Sequence, residues 1–286
     1  MAVRRNYRNT GWLLVLPAFA VLCVVGILPV LTSVNYSVQD SFSGDQFFWV
    51  GLSWYKELLG SPAFWGALAR TLAFSTLTLS LQFVIGIFVA RKLYFVQSRP
   101  ELFLPLFSLP LLMPWIVVGF LWRRAMDPDI GLVGTALSLV GMQPDLNSVG
   151  WAWTIIVILD VWHWTGLIIV LCFAGYLSIP KPYFQAAQID GASSWNTFRY
   201  VELPKLRNVL IVGALIRLAD SLMIYTEPFM VTRGGPHVAT TFLSQEIIQT
   251  ATMEFNLGEA GATSTVYLLL VIPFAWTLYR MMENDR

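Results

Sequence analysis

The stretch YFQAAQIDGASSWNTFRYVELPKL, residues 183–206, is amphipathic and partly charged, yet it lies between two runs of nearly pure hydrocarbon side chains. Pro180 and Pro182 end the run before it, and Tyr183, Ala186, Ala187 and Ile189 then recur at helical spacing, which predicts a short helix. Gly191 and the Ser193-Ser194 pair interrupt that pattern, Trp195 and Phe198 resume it, and Pro204 is expected to close the unit. Two short helices joined at a glycine suit either of two roles. They present an apolar knob to a groove on a partner protein, or they lie flat at a lipid surface, where Trp195, Phe198 and Arg199 would also be at home.

Working outward, the flanking sequence shows what the segment interrupts. Runs apolar enough to cross roughly 30 Å of hydrocarbon lie near residues 12–34, 67–90, 102–121, 151–177, 209–230 and 258–281. The expectation is an all-α, polytopic membrane protein with six transmembrane helices, organised as a single domain over residues 1–286. Pro105, Pro110 and Pro114 remove backbone donors from the third run and should kink it. An apolar fraction of 56% against 12% charged residues is too high for one soluble core. A net charge of +1 gives no reason to expect nucleic acid as a partner. The apolar run behind Arg4, Arg5 and Arg8 is too long for a signal-peptide core and reads as a retained first span. Assigning Lys and Arg to alternate sides leaves twelve on the side of the N-terminus, Arg286 among them. Five fall on the other side (Lys56, Arg70, Arg123, Arg124, Arg233), and Arg217 lies inside a span. This asymmetry places both termini in the cytoplasm. The opening segment is then cytoplasmic too. Cys23 and Cys172 sit within apolar runs and read as lipid-facing or packed thiols.

Within the opening stretch, Gln185-Ala186-Ala187, Asp190-Gly191-Ala192 and Leu203-Pro204 closely resemble the EAA signature of ABC importer permeases, with Gln185 in place of the leading acid. In that family the loop forms coupling helices that dock on an ATP-hydrolysing subunit, so the resemblance favours docking over a lipid-surface role. NYSVQDSF after the first run and IYTEPFMVTRGGPHVATTFLS after the fifth extend it over the chain, toward carbohydrate-uptake permeases related to the maltose and glycerol 3-phosphate importers. DVWHWTGLIIVLCFAGYLSIP and DSLMIYTEPFMVTRGGP look most similar to permeases of bacterial glycerol ABC importers. The resemblance implies a type I ABC importer permease fold in the bacterial plasma (inner) membrane, with cytoplasmic coupling helices over residues 181–206. It implies as partners a second permease subunit, two copies of an ABC ATPase and an extracytoplasmic substrate-binding protein, besides membrane lipid. ATP and Mg belong to the ATPase. No cofactor is expected in this chain.

The sequence carries no GxxxxGK[ST] phosphate loop, no Cys-x-x-Cys and no His-Glu-x-x-His, so neither an enzyme nor a metal site is expected. What remains is a pathway, sought among intramembrane polar residues because burying them is expensive. Asp160, His163 and Trp164 fall at i, i+3 and i+4 on one helical face, extended by Trp153. Carboxylate and imidazole can hydrogen-bond hydroxyls while an indole covers a sugar's C–H face. The alternative is an Asp160 to His163 hydrogen bond that satisfies both groups. Arg217 and Asp220 are spaced to neutralise each other. Tyr225, Glu227 and Arg233 are expected to approach the outer surface, and Gly234-Gly235-Pro236 to turn the chain there, as a gate or binding-protein contact or as an ordinary solvated loop. Ser75, Thr76, Thr78 and Gln82 line a hydroxyl-rich path or bond back to their own helix. The expected cargo is a small neutral polyol or sugar, with glycerol as the type case. Glycerol 3-phosphate or an oligosaccharide is the alternative. A self-sufficient secondary transporter with Asp160, Asp220 and Glu227 as a proton relay is the competing class.

Overall fold

A computed structural model describes residues 7–42, 46–96 and 99–283. Arg4, Arg5 and Arg286, on which the placement of the termini partly rests, lie outside the described residues. The chain starts with α1 (Tyr7–Leu22), a π-helical turn (Cys23–Ile27) and α2 (Leu28–Ser37). A hairpin of β1 (Gln39–Phe42) and β2 (Gln46–Trp49) and a short α3 (Ser53–Gly60) follow. Then come α4 (Pro62–Phe95), α5 (Pro100–Ser108), a 3-10 turn (Pro110–Leu112), α6 (Trp115–Ala125) and α7 (Leu132–Leu139). The rest is α8 (Val149–Leu177), α9 (Lys181–Ile189), α10 (Ser194–Thr197), a second π turn (Phe198–Glu202), α11 (Leu203–Leu222), α12 (Thr226–Thr232), α13 (Leu243–Thr252) and α14 (Leu257–Glu283).

The expectation of helices alone needs one correction: β1 and β2 pair antiparallel, Gln39 opposite Trp49. Among the described residues four helices are long and apolar enough to cross a membrane: Val15–Ser37, Pro62–Phe95, Val149–Leu177 and Leu257–Met281. A fifth is counted if Ser194–Leu222 and Thr226–Thr232, bent by 46°, make one span. The expected third span is not one such helix. Pro110 and Pro114 divide it, and the carbonyls they leave without a helical donor turn to tighter bonds, Leu109 N–H to Leu106 O (3.4 Å) and Met113 N–H to Pro110 O (3.0 Å).

The chain forms two compact units. The smaller one joins Met1–Phe64 to Ile247–Leu270. In it Ser33 Oγ donates to Gly261 O (3.4 Å), Trp54 Nε1 to Gln39 O (3.0 Å), and Tyr36 stacks on Phe47. Asn256 caps α14 by accepting from Glu259 N–H (3.1 Å), while its amide donates to Glu259 Oε2 (2.9 Å). The larger unit, Trp65–Glu246 with Val271–Arg286, is built around α8, which carries the most buried side chains. One apolar cluster joins Phe74, Ile155, Ile156, Leu159 and Phe242; another joins Ala90, Ile168, Phe173, Tyr176 and Leu206. Helices come this close through small residues: a Cβ on Gly166 would stand 2.2 Å from Phe107 O, and one on Gly119 would stand 2.6 Å from Met230 Cβ.

Each π turn immediately precedes a proline, Pro29 or Pro204, with one residue between. A proline within a helix cannot donate to the carbonyl four residues back and crowds it; widening the preceding turn relieves both and keeps the helix going. Pro204 was expected to close the short helical unit. Instead Ser194 to Leu222 runs as one helical stretch.

Candidate functional site

Three regions were expected to carry function, and the intramembrane polar residues come first. Asp160 and Arg217 are both completely buried. Arg217 Nη2 lies 2.9 Å from Asp160 Oδ2, Nε donates to Gln82 Oε1 (2.8 Å), and Nη1 holds Asp220. Gln82 Nε2 in turn donates to Asp160 Oδ2 (2.8 Å) and to the Asp160 carbonyl (3.1 Å). The guanidinium lies over the Trp164 ring, its carbon 4.4 Å from the centroid. One arginine therefore joins α4, α8 and α11 and satisfies two carboxylates, which is how a charge is made tolerable in a low-dielectric interior.

The local Arg217–Asp220 pair is present as expected. The Asp160–His163 hydrogen bond is not: Asp160 turns to Arg217 and Gln82, partners 57 and 78 residues away in the chain. His163 instead faces Glu227 of α12, with Nδ1 3.4 Å from Oε1. Among the described residues neither imidazole nitrogen has a hydrogen-bond partner, and neither does Trp164 Nε1. Glu227 is buried. Tyr225 is half-buried and stacks on Phe229 (5.2 Å). Trp153 does not extend the polar face: its Nε1 donates to Ala239 O (2.9 Å) and its ring packs on Phe242. Of the hydroxyl residues on α4, Thr78 bonds back to Phe74 O (3.0 Å), and the buried Ser75 hydroxyl has no partner among the described residues.

The 181–206 segment forms two short helices as its spacing predicts. Ser193 caps α10 by accepting from Asn196 N–H (3.2 Å), and Gly191 takes φ +65°. No atom lies within 4 Å of a Cβ built at Gly191, so the turn demands glycine for its left-handed backbone and not for lack of room. Gln185, Ala186, Asp190 and Trp195 are exposed, whereas Ala187 is buried and Ala192 and Leu203 are half-buried. The most exposed apolar side chains are Ile189 (85%), Tyr200 (67%) and Trp195 (64%). Phe198 is half-buried beneath Arg91 and beside Trp195. Two partners escaped the sequence pattern altogether. Arg91 grips the buried Glu202 (Nε to Oε2, 2.6 Å), and Tyr176 OH donates to the same carboxylate (3.0 Å). The available signal was an acid standing alone between Val201 and Leu203, where the helix resumes.

After α12 the chain turns as expected. Arg233 has φ 54° and is exposed, Gly234 has φ +87°, and the Gly235–Pro236 bond is cis. Thr240 Oγ1 donates to Gly235 O (2.8 Å), and Thr241 Oγ1 to Gly234 O (3.2 Å). A Cβ on Gly234 would meet Thr241 Oγ1 at 2.5 Å. The loop is also tied down from outside: Arg70 Nε donates to Thr241 O (2.8 Å) and Leu243 N–H to Thr71 Oγ1 (2.9 Å). Buried Thr240 and Thr241 show that the chain folds inward after the turn.

Comparison with known proteins puts this geometry in context. Residues 82–284 match the family model described as binding-protein-dependent transport system inner membrane component. The chain is 32% identical to the trehalose/maltose transport system permease protein MalF of Thermococcus litoralis, over 93% of this chain and 91% of that protein. It is 29% identical to the sn-glycerol-3-phosphate transport system permease protein UgpA of Yersinia pestis, over 96% and 94%. Among solved structures, a chain of a bacterial alginate ABC transporter in complex with an alginate pentasaccharide-bound periplasmic protein superposes with a TM-score of 0.82. That match is 21% identical and covers 99% of this chain and 98% of the other.

Proposed function

Because the chain belongs to the binding-protein-dependent transport system inner membrane components, we propose that it forms half of the translocation pathway of an ATP-driven importer for a small neutral polyol or sugar, with glycerol as the type cargo. In this reading residues 1–286 act as one permease domain with both termini in the cytoplasm. A second permease completes the path, two ABC ATPase copies that bind ATP and Mg dock on the 181–206 segment, and an extracytoplasmic binding protein delivers cargo near Arg233 to Pro236. The alginate transporter solved with its periplasmic protein supports that assembly by likeness of fold. The chain contributes no hydrolysis of its own.

One observation carries the preference for neutral cargo: the guanidinium of Arg217 is already used on every nitrogen, by Gln82, Asp220 and Asp160. A phosphate dianion needs free Arg or Lys donors in charge-assisted contact. The side chain of this cluster that meets solvent is Asp220, 27% exposed, and a carboxylate repels an anion. The unpartnered nitrogens of His163 and Trp164 are groups that cargo hydroxyls would satisfy. Similarity to a glycerol 3-phosphate permease favours the second reading, in which the partner permease supplies the missing cations. Reconstituted complex offered glycerol, glycerol 3-phosphate and a disaccharide decides between them. Glycerol alone should drive uptake and stimulate hydrolysis; exclusive response to the phosphorylated compound refutes the neutral cargo.

A further inference from the structure

Glu202 is completely buried, although most of the 181–206 segment around it is exposed. Arg91, near the end of α4, holds it bidentately, Nε to Oε2 at 2.6 Å and Nη2 to Oε1 at 2.9 Å. The same Nη2 donates to Ser194 Oγ (3.0 Å) and Ser194 O (3.3 Å), and the guanidinium carbon stands 5.7 Å from the Phe198 ring centroid. Ser194, Phe198 and Glu202 follow at four-residue spacing, so one arginine holds a whole face of α10 and the π turn. Tyr176, at the end of α8, donates to Glu202 Oε2 (3.0 Å). The first short helix is fastened to the same place: Phe184 of α9 packs on Phe95 (5.3 Å) and Tyr94 (6.0 Å), and Tyr94 stacks on Tyr176 (5.5 Å).

A buried ion pair adds little stability over well-packed apolar side chains. What a bidentate fork does add is a fixed orientation of the two groups it joins. The helices joined here are α4, α8 and the π turn leading into α11. They are joined a second time by Gln82 of α4, Asp160 of α8 and Arg217 of α11. Three helices tied at one level can still pivot about the tie. Tied at two levels along their length, they move together.

We propose that Arg91, Glu202 and Tyr176 are positioning residues that turn a displacement of α9 and α10 into a joint movement of α4, α8 and α11, and so deliver it to the Asp160–Arg217 layer. The proposal rests on the reading of 181–206 as the ATPase-docking segment.

The test uses the complete transporter in liposomes, with glycerol as the transport probe, and three versions of the joint: Glu202→Gln, Tyr176→Phe, and the exchanged pair Arg91→Glu with Glu202→Arg. Spin labels at introduced cysteines replacing Ser193 and Leu81, in a chain lacking Cys23 and Cys172, report the distance between α10 and α4. In the otherwise unaltered chain that distance stays the same without nucleotide and with ATP trapped by vanadate. In Glu202→Gln it broadens and differs between the two states, the ATPase remains bound and hydrolyses ATP, and glycerol moved per ATP falls about tenfold. The exchanged pair restores most of the loss. An unchanged distance in Glu202→Gln, an exchanged pair no better than the single change, or loss of the ATPase from Glu202→Gln each overturns the proposal. Should Glu202→Gln fail to accumulate, Tyr176→Phe and the exchanged pair carry the same readouts. A false docking reading shows separately, as an ATPase retained by Trp195→Ala and Ile189→Ala. The distance measurement needs no cargo, so a wrong cargo does not obscure it.

Discussion

Replacing Arg217 with Met removes the centre of the layer that joins α4, α8 and α11, and the structure sets the size of the effect. Arg217 and Asp160 are both fully buried and 2.9 Å apart, so the substitution strands a carboxylate away from water. Removing one member of a buried pair costs about 3–5 kcal/mol. Gln82 Oε1 loses its donor as well, worth about 1 kcal/mol. Asp220 adds little, because its 27% exposure lets water replace the guanidinium. A total of about 4–6 kcal/mol corresponds to a fall of about 8–12 °C in melting temperature for a chain of this size. If the contacts were ordinary intramembrane hydrogen bonds, worth about 0.6 kcal/mol each in double-mutant cycles, the fall would be only a few degrees. Fluorescence-detected size exclusion of the detergent-solubilised chain after stepwise heating measures it. The companion Asp160→Leu with Arg217→Met removes both charges and should recover to within about 2 kcal/mol of the parent. A single variant melting within about 2 °C of the parent refutes the ion-pair account, as does a double variant melting no higher than the single one.

Three further outcomes test other parts of the structure. Gly191→Val should insert normally yet lose coupling of hydrolysis to uptake, since a β-branched residue at φ +65° costs at least about 1–2 kcal/mol; Gly191→Asn, which tolerates that backbone, should keep most of it, and equal activity in both variants argues against a backbone requirement. Trp195→Ala and Ile189→Ala should each weaken ATPase retention during purification by about 2 kcal/mol, near thirtyfold, if these exposed side chains are anchors; full retention in both removes the docking assignment. A membrane-impermeant thiol reagent applied to sealed cells should label a cysteine replacing His237 but not one replacing Ser193; labelling at Ser193 overturns the topology drawn from the distribution of Lys and Arg.

What the sequence made legible depended on how far apart the interacting residues lie. The 181–206 helices and their turn follow from Gly191, Ser193 and periodic apolar residues within one short segment, and Arg217 with Asp220 is an i, i+3 pair. The break after α5 was also local, since three prolines in one run leave carbonyls without donors. The partners of Asp160 were not local: Gln82 and Arg217 stand on other helices, and each residue alone fits its own helix equally well with a nearby partner. That is why a carboxylate and an imidazole at i, i+3 on α8 suggested a pair and formed none. Burial then chose between them. A carboxylate in a low-dielectric interior is drawn to the strongest available donor, and Arg217, with several donors in a rigid fork, outcompetes an imidazole. His163 is left facing Glu227 without a hydrogen bond, and the unspent polarity of α8 sits there, beside the Trp164 indole that lies under the arginine. The same long-range choice is made at Glu202: Arg199 and Lys205 stand three residues to either side in the chain, yet the carboxylate takes Arg91, 111 residues earlier, which arrives from α4 with a bidentate grip. In a bundle whose helices gain nothing from hydrophobic exclusion by lipid, such long-range polar ties and the close contacts at Gly119 and Gly166 are what select one packing among many.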